Sequence, residues 1–146
     1  MSENGIAQIH SRPLGQAVEF RVAAQLDNLA IVRTLISAVG TFQDLDLDAV
    51  ADLRLAIDEA CTRLIRSSTP DSVLSVVAEP REGKLVVSAS TTCADGDVLT
   101  PGSFSWHVIS SLTDSLDTFH DGHDGVQLGG QLFGITMTAR RVGPST

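Results

Sequence analysis

Glu59, Arg63 and Arg66 recur at helical spacing in the stretch Asp52 to Arg66. A carboxylate one turn ahead of a cation can act as a general base beside a phosphate-binding group. The same two residues, Glu59 and Arg63, are also the favourable order for an i,i+4 surface ion pair. Spacing alone favours that plainer assignment. Asp95-Gly96-Asp97 puts two carboxylates in a loop, where they can contact a metal or nucleotide or simply make a turn. His120 and His123 flank an Asp-Gly turn with Asp121 and Asp124 beside them, and His107 lies upstream. These read as solvated side chains, and no metal site is expected. No P-loop, Rossmann fingerprint or Gly-x-Ser-x-Gly elbow occurs. Cys61 and Cys93 share no ligand or redox spacing, and two reduced thiols are expected.

The elements that must carry these residues are legible from periodicity. Val50, Leu53, Ile57, Cys61 and Leu64 form one face of a helix that Asp46 or Asp48 can cap. The helix is expected to end near Ser67, before Pro70. Upstream, Val18, Phe20 and Val22 alternate as a half-buried strand. Asp27 can cap a helix with the stripe Leu29, Val32, Ile36 and Val39, and Gly40 is placed to end it. Downstream, Val73 to Glu79 and the alternating Leu85, Val87 and Ala89 make a hairpin around Pro80-Arg81-Glu82-Gly83. Thr91 to Gly102 reads as loop. Ser103 can cap a helix with apolar face Trp106, Ile109, Leu112 and Leu116. Thr118 to His120 is a short strand, Asp121 to Gly130 a mobile Gly/Asp-rich loop, and Phe133, Ile135, Met137 and Ala139 mark the last strand.

The order β-α-α-β-β-loop-α-β-β predicts an α+β two-layer sandwich, with helices on one face of a mixed, largely antiparallel sheet. At 146 residues one domain is expected, over 17–142, behind a flexible tail at 1–16. An apolar fraction of 42% supports a real core. The chain has 18 acidic against 10 basic residues, a net charge of −8, which argues against nucleic acid or anionic membrane as partners. No apolar run approaches the length of a membrane span, and Met1 to Gln16 lacks the core of a signal peptide, so a cytoplasmic protein is expected.

The stretch Leu53 to Ile65 resembles the N-box helix of RsbW-type anti-sigma factors, in the histidine-kinase-like ATPase (GHKL, Bergerat-fold) superfamily. The family pattern there is close to Leu-x-x-Ala-Val-x-Glu-Ala-x-x-Asn-Ala-Ile. The element order from Val18 to Arg141 is similar too, as is the segment Pro101 to His107, to actinobacterial anti-sigma-F factors of the RsbW/UsfX kind. The resemblance implies a homodimer that sequesters an alternative sigma factor and releases it to an anti-anti-sigma antagonist of the STAS fold. It also implies an alternative activity: a serine/threonine kinase that uses Mg-ATP to phosphorylate that antagonist. Glu59 matches the family's catalytic carboxylate.

The nucleotide boxes depart from the family pattern. Arg63 stands where the family has its Mg²⁺-binding Asn, and a guanidinium has only donors. It retains the ability to meet phosphate. The adenine loop survives as Asp95-Gly96-Asp97 without its second Gly. The phosphate loop is reduced to Gly102-Ser103-Phe104-Ser105-Trp106, and the closing Gly-Gly-Thr becomes Gly129-Gly130-Gln131. ATP or ADP therefore remains a candidate ligand through Arg63, Asp95, Gly96 and Gly102, with Mg²⁺ disfavoured. The expectation shifts from catalysis to sequestration. Counting back from Glu59 without gaps places Arg33 where the family has an arginine that meets both protein partners.

Overall fold

The computed structural model describes residues 16–121 and 130–141. The expected flexible tail at 1–16 falls almost entirely outside them, as does the loop carrying His123, Asp124 and Gly129. Five strands and three α-helices follow in the order β1 (Val18–Ala23), α1 (Leu29–Phe42), α2 (Leu47–Ser67), β2 (Val73–Arg81), β3 (Lys84–Cys93), α3 (Phe104–Leu112), β4 (Ser115–His120) and β5 (Gln131–Arg140). A 3₁₀ turn, Leu26–Asn28, leads into α1. The sheet order is β1-β2-β3-β5-β4, and every pairing among the described residues is antiparallel.

Strand alternation divides the sheet into two faces. Leu74, Val76 and Ala78 of β2, Leu85, Val87 and Ala89 of β3, and Phe133, Ile135 and Met137 of β5 are buried against the helices. The registers Val76↔Ala89 and Ala89↔Ile135 keep these side chains on one face across three strands. The other face is dominated by Ser and Thr, with Ser88 and Thr136 hydrogen-bonded across strands at 3.0 Å. On that face Phe119 lies over Gly134, where a Cβ would collide with its ring.

The helix α2 packs its full apolar face inward. Leu53, Ala56, Ile57, Ala60, Cys61, Leu64 and Ile65 are all buried. Ala56 and Ala60 bring the α2 backbone close to its neighbours, which hydrophobic patterning built on large residues does not register. Asp46 caps the helix, its carboxylate accepting from the Ala49 N–H at 2.7 Å.

Several boundaries differ from the sequence reading, each for a local reason. Asp27 does not cap α1. It lies in the 3₁₀ turn, and Asn28 at the N-cap position sends its amide to the Ala23 carbonyl instead. Gly40 does not end α1. The helix closes two residues later, where Asp44 adopts φ +66° and Leu45 N–H returns to Gly40 O at 3.0 Å. This is a Schellman-type cap with Asp in the left-handed position. Gly40 serves packing, since a Cβ there would press on Leu45 and Val50 at 3.3 Å. Pro80 and Arg81 belong to β2, leaving Glu82-Gly83 as the turn. Pro80 lies beyond the last β1 partner, the Val18↔Ala78 pair, so no ladder bond to β1 is forfeited. The strand β3 extends into the expected loop as far as Cys93. Finally, α3 stops at Leu112 and Leu116 packs from β4, not from the helix.

Candidate functional site

The carboxylate of Glu59 is engaged. Its Oε2 accepts a hydrogen bond from Ser105 Oγ at 2.7 Å, and Ser105 is buried at the second position of α3. Ser103 caps α3 by accepting from the Trp106 N–H at 3.2 Å. A carboxylate beside a helix N-terminus is favourably placed for the helix dipole. Glu59 therefore fastens α3 to α2. Among the described residues no ion pair joins Glu59 to Arg63, which corrects the surface-pair assignment. Arg63 is exposed. In the sequence Ser105 stands out only as part of the reduced phosphate loop, and nothing there signals its contact with Glu59.

Arg63 lies one turn after Glu59 on α2, and Gly102 precedes the α3 N-cap by one residue, three before the Ser105 that meets Glu59. The loop after β3 is tied to the C-terminal end of α2, with Ala94 N–H bonded to Ser67 O at 3.0 Å and Thr69 N–H to Thr92 O at 3.0 Å. Asp95 and Gly96 follow directly after this tie to Ser67, the last residue of α2 and about 12 Å along that helix from Glu59. Their polar groups hold the loop itself: Asp95 Oδ1 accepts from the Asp97 N–H at 3.3 Å, and Asp97 Oδ1 from Thr100 Oγ1 at 2.7 Å. Buried Val98 and Leu99 anchor the loop from below. Gly102 adopts φ +88° with open space around it, so its conformation is what glycine supplies. Phe104 begins α3 and is 80% exposed. Gly130 has a structural duty, since a Cβ there would collide with the Cys93 carbonyl.

Arg63, at the family's metal-ligand position, has no acceptor atom and cannot ligate Mg²⁺. One oxygen each of Glu59, Asp95 and Asp97 accepts a hydrogen bond within the protein. Among the described residues no cluster of three His, Cys, Asp or Glu side chains forms a metal centre. His107 is exposed, and His120 stacks on Phe133 with centroids 6.1 Å apart.

The preceding carboxylate, Asp58, faces α1 and has another task. Arg33 Nε and Nη2 both donate to Asp58 Oδ1, at 3.2 and 2.8 Å, joining α1 to α2. Both side chains are partly exposed, at 39% and 35%. Arg33 is thus a positioned arginine whose Nη1 makes no hydrogen bond to a described residue. Nothing in the sequence flagged Asp58, which lies inside the N-box-like stretch between two residues that drew attention.

The helix α1 also carries a second apolar stripe that the sequence reading did not register. Ile31, Leu35, Ala38 and Phe42 are spaced four, three and four apart, and all are exposed, Phe42 by 82%. Two open hollows run along it. One of about 590 Å³ is lined by Gln16, Val18, Ala38, Val39, Phe42 and Gln43. The other, about 270 Å³, is lined by Ala30, Ile31, Thr34 and Leu35. The signal was present in the sequence, but the inward stripe of Leu29, Val32, Ile36 and Val39 accounted for the helix and masked it.

Both thiols are buried and free. Burial, with a smaller push from Asp58, raises Cys61 to about 12. Burial and Asp95 raise Cys93 to about 11. Neither is a nucleophile at neutral pH.

No protein-family model matches the chain. It is similar to the anti-sigma-F factors RsbW of two Mycobacterium tuberculosis strains, CDC 1551/Oshkosh and H37Rv. Each is 58% identical over 130 residues, covering 89% of this chain and 77% of the relative. With that identity over most of its length, the chain belongs to the RsbW family of anti-sigma-F factors.

Proposed function

We propose that this protein is an anti-sigma factor that sequesters an alternative sigma factor and so regulates transcription. The observation that carries this reading is the state of the two sides of α2. On one side Glu59 is bonded to Ser105 at 2.7 Å. On the other, Asp58 holds Arg33 in place at the surface. A protein that binds needs a rigid, partly desolvated charge, and Arg33 is that charge. A protein that transfers phosphate needs ligands for the nucleotide and its metal, and that side offers few. The family membership supplies the class of partner.

In this reading the sigma factor meets the α1 side that includes Arg33, and an anti-anti-sigma antagonist competes for the same arginine. The protein acts in the cytoplasm as a homodimer. ATP or ADP is a regulatory ligand at most, held by Arg63 with Asp95, Gly96 and Gly102. Pull-down of a purified sigma-F factor, followed by run-off transcription from its promoter, tests the reading. Capture with loss of transcript is expected, with or without nucleotide. Absence of capture under both conditions defeats it.

The second reading is a serine/threonine kinase acting on the antagonist, favoured by the retention of Glu59 at the family's carboxylate position. Incubation with labelled ATP, Mg²⁺ and the antagonist separates the two. Label on the antagonist that disappears in Glu59→Gln supports the kinase. Lack of label supports sequestration alone.

A further inference from the structure

We propose that the outer edge of β4 is a docking site for an extended basic segment of a protein partner, which joins the sheet as an added strand. The site lies at the end of the sheet away from β1 and stands apart from the anti-sigma reading.

The edge is open and its backbone phase is fixed. The Asp121 N–H donates to Leu132 O at 3.2 Å, and the register runs from Ser115↔Thr138 to His120↔Phe133. Antiparallel alternation therefore turns the backbone of Ser115, Asp117 and Phe119 towards β5, and that of Leu116, Thr118 and His120 outwards. Among the described residues those outward groups have no backbone partner. Edge strands are commonly blunted by Lys or Pro. The strand β4, Ser-Leu-Asp-Thr-Phe-His, has neither.

Charge selects the occupant. From Ser111 to Asp121 the chain carries Asp114, Asp117 and Asp121 and no Lys or Arg. Side-chain alternation places Asp117 and Phe119 on the outer face of the sheet, with Asp121 in step behind them. Every second residue of an added strand meets these carboxylates. A basic side chain there gains from the opposite charge, and Arg gains also from the Phe119 ring. An acidic segment, including one from another copy of this −8 chain, is repelled. The other sheet edge lacks this bias, since β1 carries both Glu19 and Arg21, 3.7 Å apart.

A pocket continues the acidic edge. At the start of β4 a hollow of about 150 Å³ is lined by Asp52, Ser111, Thr113 and Asp114, with Ala49, Leu112 and Ala139 beside them. It lies at the C-terminus of α3, where the last carbonyls present partial negative charge. Asp114 Oδ2 accepts from the Arg140 N–H at 2.7 Å, which fixes that carboxylate. No Lys or Arg side chain lines the hollow. A Lys or Arg head group at the end of the added strand supplies the donors that these acceptors lack.

Fluorescence anisotropy and amide hydrogen exchange of the full chain test this, with a labelled peptide that alternates Arg with Val. Saturable binding is expected, with slowed exchange at Leu116, Thr118 and His120 and no change at Glu19 and Arg21 on the β1 edge. The same peptide N-methylated at alternate residues keeps its charge but cannot donate to β4. It should bind at least about 10-fold more weakly. The double variant Asp52→Lys/Asp117→Lys changes two exposed side chains, so the fold is expected to persist, and it should weaken binding by a similar factor. Absence of binding to the wild type overturns the inference, as does exchange protection confined to β1 or α1. Equal binding of the N-methylated peptide overturns it in favour of charge alone. Equal binding by the double variant overturns it by removing the acidic edge from the contact. None of these measurements involves the sigma factor, so failure of the anti-sigma reading is seen separately.

Discussion

Asp58 and Glu59 are consecutive on α2 and do opposite things. Asp58 reaches to α1 and pairs with a charged, half-exposed Arg33. Glu59 reaches to α3 and accepts from a neutral, buried Ser105. The first contact lies near solvent and contributes little to stability, about 0–1 kcal/mol, so its value lies in where it holds the guanidinium. The second places a charge at a helix N-terminus against a buried hydroxyl, and losing the acceptor there leaves that hydroxyl unsatisfied. On the α3 side Glu59 ties α3 to α2. On the α1 side Asp58 keeps a surface charge in position.

The largest effect that bears on this contrast comes from removing the core both seams share. Ile57 is fully buried on α2 immediately before the two carboxylates. Ile57→Ala should cost about 2–5 kcal/mol in urea unfolding. A cost below about 1 kcal/mol would mean that α2 is not packed as described.

Next in size is the Glu59 clamp. Glu59→Ala and Ser105→Ala should each cost about 1–3 kcal/mol, whereas Glu59→Gln keeps an acceptor and should cost less. Their double variant should be no worse than the larger single one, because one shared contact is lost. Equal losses for Glu59→Gln and Glu59→Ala would show that the charge, not the hydrogen bond, holds α3.

The thiols give a pH signature. Cys61 and Cys93 are raised to about 12 and about 11 in the fold, above the value near 8.5 of an unfolded thiol. The folded state therefore holds protons that the unfolded state releases. This contribution is complete below about pH 8.5 and is lost as pH rises towards 11–12, with a slope of up to about 1.4 kcal/mol per pH unit per thiol. Urea titrations at pH 8 and pH 10 measure it, and Cys61→Ala should flatten the slope. Alkylation by iodoacetamide at pH 8 should be slow until the protein unfolds.

Smallest is the Arg33 seam. Asp58→Asn and Arg33→Ala should each change stability by less than about 1 kcal/mol. A much larger loss for either would place that ion pair with the Glu59 clamp, and the contrast between the two seams would collapse.

The amount legible in the sequence follows the same division. Strong periodicity gave β3, β5 and α2, because a half-buried element repeats its pattern several times. The ends of elements were less legible. Gly40 looked like a terminator, yet a small side chain was needed for packing, and Asp44 supplied the left-handed turn in its place. Leu116 fitted a helical spacing but belongs to the edge strand β4. Within the site, Glu59 and Arg33 were found through the family pattern, and their partners were not. Asp58 and Ser105 lie 25 and 46 residues from them along the chain. No local spacing encodes such a contact. It exists only once α1 and α3 have packed on α2. The outward stripe of α1 was readable in principle, since its period equals that of the inward one, but two apolar stripes on one helix look like a buried helix until exposure is known.

In the proposed reading, capture of the sigma factor does not require a nucleotide. Calorimetric titration of purified sigma-F factor into the nucleotide-free protein, repeated with Mg-ATP, checks this. Saturable binding is expected in the first titration, and an affinity changed by less than about threefold, or about 0.65 kcal/mol, in the second. Binding that appears only with Mg-ATP, and vanishes in Glu59→Gln, would contradict it.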